Sequence, residues 1–221
     1  MPNTFDLTDP RKRVRWRTYA GLGSAVAVLL GGGVAPSAGA DAWGDNREVN
    51  IPGTGPHPDG GDEWYCYGAS LPAHLEDDVD VGMDAIEDSD ANVLLRADCP
   101  TWIDIRWEEG GLPAGWLGAQ VCELWNGPGT RCDRNEATLD VSNIRDIVDP
   151  WSSVTRAMGY RKVACHEGGH AVGNSHYSGS ANAPDGQNDC MRSGIGQSWI
   201  TDTTTYQNYS AHHKNHMNNW F

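Results

Sequence analysis

One eleven-residue run constrains this chain more than any other feature: His166-Glu167-Gly168-Gly169-His170-Ala171-Val172-Gly173-Asn174-Ser175-His176. His166 and His170 are four apart, so on a helix both imidazoles leave one face and reach a common point. That separation suits two ligands of a tetrahedral zinc ion. Glu167 lies about 100° around the helix from His166, beside an open coordination position rather than in the shell. Gly173 lets the chain leave the helix at positive φ, and the bend can swing His176 back as a third ligand. Three neutral imidazoles would leave the ion its +2 charge and one position for water, whose proton Glu167 can take. With 8 His, 9 Glu and 27 Gly in 221 residues, such a run is expected by chance in about 5 of 100,000 chains of this composition. Two adjacent glycines in a helix each cost about 1 kcal/mol against alanine. The sequence therefore predicts a close approach by another segment over Gly168 and Gly169.

The N-terminal 40 residues read as an export signal. Arg11, Lys12, Arg13, Arg15 and Arg17 precede an apolar stretch over 19–35, followed by Ala38 and Ala40 at small-residue cleavage positions. An uncleaved membrane anchor is the alternative, but about 17 residues fall short of the roughly 20 a spanning helix needs. The reading places the mature protein outside the cell, secreted and with no stable membrane association. In that compartment Cys66, Cys99, Cys122, Cys132, Cys165 and Cys190 read as three disulfides. They contain no C-x-x-C pair, so a cysteine zinc site has the wrong spacing. Charge divides in the same place. The signal carries +3 and the remaining 181 residues, with 11 basic and 28 acidic side chains, carry −17, against −14 for the whole chain. Such an acidic balance excludes a sequence-independent nucleic-acid binder. A mean hydropathy of −0.55 excludes a polytopic membrane protein.

Residues 41–62 are rich in Gly and Pro and read as a flexible lead-in or a short pro-segment, leaving one domain over 63–221. Residues 75–90 predict an acidic helix with Val79, Met83 and Ile86 as its apolar stripe. Its carboxylates (Glu76, Asp77, Asp78, Asp80 and Asp84) read as a solvated face in preference to a calcium site. Strands are predicted over 93–95, 102–107, 120–125 and 137–141, with turns at Gly110-Gly111 and over 127–129. Cys122 and Cys132 flank the second turn and could staple a hairpin. Ser152 or Ser153 is the expected cap of a helix ending before Gly159, with a second helix over 162–173. A C-terminal helix is expected over 203–221, with Tyr206, Tyr209, His213, Met217 and Trp220 on one side. The nine Trp beyond the signal, in place of the scarce Phe, are expected to fill the core, with one or two available to line a substrate cleft.

The run at 166–176 has the form H-E-x-x-H-x-x-G-x-x-H, and Met191 follows in Asp189-Cys190-Met191-Arg192-Ser193-Gly194. In both respects the chain resembles the metzincin metalloendopeptidases, which combine this zinc signature with a downstream methionine turn. The resemblance implies an α+β, zincin-like catalytic domain over about 75–221: a small twisted mixed sheet packed with an active-site helix and a C-terminal helix. It implies one Zn2+ held by His166, His170 and His176, with Glu167 as catalytic base. Met191 would be the apolar floor beneath the ligands, and Gly173 the turn that returns His176. In such enzymes an edge strand before the active-site helix pairs with extended peptide, and residues 120–125 are the candidate. A turn beneath the metal further implies a Cys165–Cys190 disulfide, because these cysteines directly precede His166 and Met191. Cys122–Cys132 and Cys66–Cys99 are then the remaining pairs. Tyr177 and Ser193 depart from the patterns of known subfamilies, so the resemblance specifies no branch.

Two further patterns weigh less. His212, His213 and His216 form H-H-x-x-H without an acidic base in the run, and a helix surface packed near the domain is the better reading than a second metal. Asp185 to Asp189 could offer oxygen ligands to Ca2+, but an ordinary loop is the better reading. The expectation is a monomeric, secreted zinc endopeptidase acting on protein or peptide substrates. The alternatives are a secreted zinc-stabilised binding or structural protein and a non-peptide amide hydrolase. Glu167 beside a three-histidine site favours the enzyme, since a structural site is usually closed by a fourth protein ligand.

Overall fold

The computed structural model describes residues 57–58, 61–89, 91–126, 131–174, 189–201 and 207–221. The expected signal at 1–40, His176, Asp185 and Tyr206 lie outside them. Six strands form one sheet: β1 (His57–Pro58), β2 (Glu63–Tyr67), β3 (Val93–Arg96), β4 (Ile105–Glu109), β5 (Gly118–Asn126) and β6 (Arg131–Leu139). Their order is β1-β6-β4-β2-β3, with β5 on the other side of β6. The helices are α1 (Glu76–Glu87), α2 (Val141–Val148), α3 (Arg156–Ala171), α4 (Gln197–Ile200) and α5 (Ala211–Trp220), and the fold is mixed α+β.

Every described ladder is parallel except β5–β6, an antiparallel hairpin closed by the Cys122–Cys132 disulfide. Along β6, Asn135, Ala137 and Leu139 are buried while Glu136 and Thr138 are less so, the period-2 signature of a strand with one covered face; the alternation breaks between Cys132 and Asn135, where the β5–β6 register shifts. β4 alternates likewise, with Ile105 and Trp107 inward and Arg106 outward. The outward Arg106 sits among Glu108, Glu123 and Glu136, a partly exposed cluster that ties β4, β5 and β6 together. Parallel strands that follow one another in sequence, as β3 and β4 do on either side of β2, normally need a crossover of about a dozen residues or more. β3 nevertheless reaches β4 through residues 97–104 alone. The Cys66–Cys99 disulfide pins that short link to β2, and Asp104 accepts a hydrogen bond from Trp64 N at 2.7 Å.

α1 lays Val79, Met83 and Ile86 into the core, as its spacing predicts. It also meets α3 closely: a Cβ at Gly82 would stand 2.7 Å from Cys165 N. Its acidic face is not uniformly solvated, which corrects one expectation. Asp78 is buried against Arg161 of α3 at 2.7 Å, and Asp80 accepts from the Tyr65 hydroxyl at 2.7 Å and from Tyr67.

Other boundaries differ from expectation for local reasons. The strand expected from 102 begins at Ile105, because a turn closes from Ile103 N to Pro100 O. The segment 137–141 is the tail of β6 and the start of α2, which Asp140 caps by accepting from Asn143 N at 2.8 Å. No helix starts at Ser152 or Ser153. Thr155 caps a single helix that runs through Gly159, where a Cβ would press on Ile144 and Val148 of α2. The C-terminal helix starts at Ala211 behind Ser210, so Tyr209 precedes it. Within 41–62, β1 pairs with the start of β6. Among the described residues tryptophan does not fill the core: Trp107 is fully buried, whereas Trp64, Trp102, Trp116 and Trp151 are half-buried and Trp125 is 41% exposed. Leu, Ile, Val and Met fill it instead. No helix among the described residues is long and apolar enough to cross a membrane.

Candidate metal centre

α3 carries the first part of the decisive run, His166 to Ala171, inside the protein, with every residue from Lys162 to Ala171 buried. Its start is fixed by Thr155, whose hydroxyl accepts from Met158 N at 3.3 Å. Its end is a Schellman turn: Gly173 N donates to His170 O at 3.0 Å and Asn174 N to Gly169 O at 2.8 Å. Gly173 has φ of +91°, the left-handed conformation that favours glycine. The turn brings the Asn174 carbonyl back over the helix, where it accepts from His170 Nδ1 at 2.8 Å.

His166 is oriented in the same manner from another segment. Its Nδ1 donates to the Cys190 carbonyl at 2.7 Å. A carbonyl oxygen only accepts, so both Nδ1 atoms carry the hydrogen and both lone pairs sit on Nε2. The two rings stand edge to face with centroids 4.7 Å apart.

Glu167 is 1% exposed, and its Oε2 has no hydrogen-bond partner among the described residues. β5 passes directly over it at Gly118, where a Cβ would lie 2.6 Å from Glu167 Oε1. Burial pushes the Glu167 carboxyl up to about 8, against the opposing pull of Lys162. Burial also lowers His170 to about 4 and Lys162 to about 7. A low histidine pKa favours the neutral, ligating imidazole. A dication near Glu167 would act against burial and favour the carboxylate.

The close approach expected over the paired glycines is present. Gly168 faces Met83 and Ile86 of α1, and Gly169 faces Met191 and the Tyr209 ring. Met191 is fully buried. The Cys165–Cys190 disulfide and Tyr209, whose hydroxyl donates to Cys165 O at 2.5 Å, hold the 189–192 segment and α5 against α3. Asp189 ties that segment to the C-terminal helix: it accepts from Met191 N at 2.8 Å, Ser210 N at 2.9 Å and His213 Nδ1 at 2.5 Å. His213 therefore lies, fully buried, on the face of α5 that packs into the domain. His212 and His216 pack ring against ring, with centroids 4.3 Å apart.

Sequence reasoning missed Gly118, Lys162, the Asn174 carbonyl and the part Asp189 plays in tying the 189–192 segment to α5. Only Lys162, one helical turn before His166 on the same face, left a signal that could have been read.

Among the described residues, His166 and His170 come together with Glu167 beside them, and no group of three or more His, Cys, Asp or Glu forms a metal cluster. The donor set fits zinc on its chemistry: two neutral imidazoles oriented by carbonyls, and a buried carboxylate oxygen without a partner. No protein-family model matches the chain, and comparison with curated proteins finds no matching relative.

Proposed function

We propose that the chain is an exported zinc-dependent endopeptidase with a zincin-like, metzincin-type catalytic domain. The observation that carries this reading is the pair of imidazoles on α3, each with its Nδ1–H given to a backbone carbonyl. Such partners fix tautomer and ring orientation in metal-binding histidines. His166, His170 and His176 would hold the ion. Zinc bound there would supply a Lewis acid that acidifies water and polarises a carbonyl.

The remaining work falls to this chain's own groups. Glu167, sealed from solvent with one oxygen unpartnered, takes a proton from the attacking water and returns it to the departing amine. β5, at the sheet edge and over Glu167, offers backbone N–H and C=O groups to an extended peptide, which would lie along it as a further strand. Three disulfides and the signal-like segment at 1–40 support export.

A peptide-library cleavage profile, with zinc content measured on the same sample, tests the reading. One zinc per chain with chelator-sensitive cleavage is expected. Zinc bound without cleavage of any library member would move the assignment to a zinc-stabilised protein, and no zinc would overturn it.

A further inference from the structure

We propose that Lys162 is a positioning residue for the metal centre, orienting His166 through the Cys190 carbonyl that both residues share. The proposal rests on the zinc reading above. Lys162 is 1% exposed, in a helix whose surroundings are otherwise largely apolar. Its Nζ donates to Cys190 O at 2.6 Å and to Arg192 O at 2.7 Å. His166 Nδ1 donates to the same Cys190 oxygen at 2.7 Å.

Lys162 and His166 are one helical turn apart, so they present to the 190–192 segment side by side. A carbonyl with two lone pairs can accept both donors. The lysine thereby fixes where that oxygen stands, and the oxygen fixes the plane and tautomer of the imidazole. Its second bond, to Arg192 O, spans Met191 and holds both ends of the turn whose thioether packs on Gly169. A long cationic side chain is seldom fully buried without specific partners. Aliphatic residues already supply the packing of this core, so hydrophobic burial gives no reason for a lysine here.

Lys162→Met keeps the stem's volume and removes the donor. Arg161→Gln is the control: it breaks the Arg161–Asp78 pair on the next residue of the same helix without touching the turn. Zinc affinity is measured by competition with a chromophoric chelator, and ligand geometry by the visible spectrum of the cobalt-substituted protein. Lys162→Met is expected to weaken zinc by about 10- to 100-fold, the range for lost partners of metal ligands, and to change the cobalt bands. Arg161→Gln should leave both unaltered.

A folded Lys162→Met protein with wild-type zinc affinity and cobalt spectrum overturns the positioning role while leaving the zinc reading intact. Wild-type protein that binds no zinc overturns both. Should Lys162→Met fail to fold, NMR of the zinc-loaded wild type decides. Through-hydrogen-bond couplings from Lys162 Nζ and His166 Nδ1 to the Cys190 carbonyl carbon are expected, and a missing lysine coupling refutes the proposal.

Discussion

The backbone carbonyl of Asn174 accepts the Nδ1–H of His170 at 2.8 Å, four residues back along the chain. The bond exists because Gly173 turns the helix end through positive φ, so a cap that satisfies helix carbonyls also aims a side chain. One piece of local backbone chemistry thus connects a glycine, a helix terminus and the tautomer of a candidate ligand.

Removing the proposed base should separate binding from chemistry. Glu167→Ala is expected to hold zinc at wild-type stoichiometry while peptide hydrolysis falls on the order of 100- to 10,000-fold. Elemental analysis and a peptide assay on one preparation check both. Wild-type turnover would contradict the assigned role.

Acid should release the metal. Burial lowers His170 to about 4, so its imidazole stays neutral and ligating through the neutral range. Protonation of the three proposed histidine ligands would compete with zinc as pH falls, and zinc measured after dialysis should be full at pH 7 and lost by about pH 4. Full retention at that lower pH would count against three histidine ligands.

Gly169→Ala sets helix propensity against space. Alanine gains about 1 kcal/mol inside a helix. Its Cβ would overlap Met191 Sδ and approach Tyr209 Cε1 to 2.9 Å. Overpacking of this kind costs about 1–3 kcal/mol, so the net expectation is a loss of up to about 2 kcal/mol. Denaturant unfolding measures it, and a stabilised variant would refute the close approach.

Asp140 caps α2, and its carboxylate also accepts from Leu112 N at 2.7 Å and Ser142 Oγ at 2.7 Å. Burial pushes its pKa up, but these bonds together with Asn143 N outweigh burial and hold it below the ordinary 3.8. A depressed carboxylate pKa stabilises the fold above the unfolded value and ceases to do so as pH falls through the folded one. Asp140→Ala should therefore cost about 1–2 kcal/mol at pH 7. The gap from wild type should close below pH 3.8, as acid titration of both proteins would show. A gap independent of pH would disprove the charged cap.

Much of the centre was legible because its information is local. The i, i+4 histidines, the glycine exit and the paired small residues each follow from helix geometry within one run. The apolar stripe of α1 was legible for the same reason. Features set by distant contacts were not. Helix α3 continues through Gly159 because α2 packs there, although glycine alone reads as a stop. The strand at Glu63–Tyr67 carries Glu63 and Cys66 among its buried residues and shows no clean alternation. Asp189 looked like the end of a possible calcium loop, whereas its oxygens are engaged by backbone and imidazole groups brought in from α5 and its N-terminal cap.

The Asp189 clamp bears on the order in which the molecule is made. His213 follows Met191 by 22 residues, and Asp189 cannot complete its hydrogen bonds until Ser210 and His213 have been synthesised and folded back. The 189–192 segment is therefore finished by residues that leave the ribosome about twenty positions after it. A chain that has not yet delivered Ser210 and His213 lacks the bonds that fix Asp189, and with it the register of the segment whose Cys190 carbonyl holds His166.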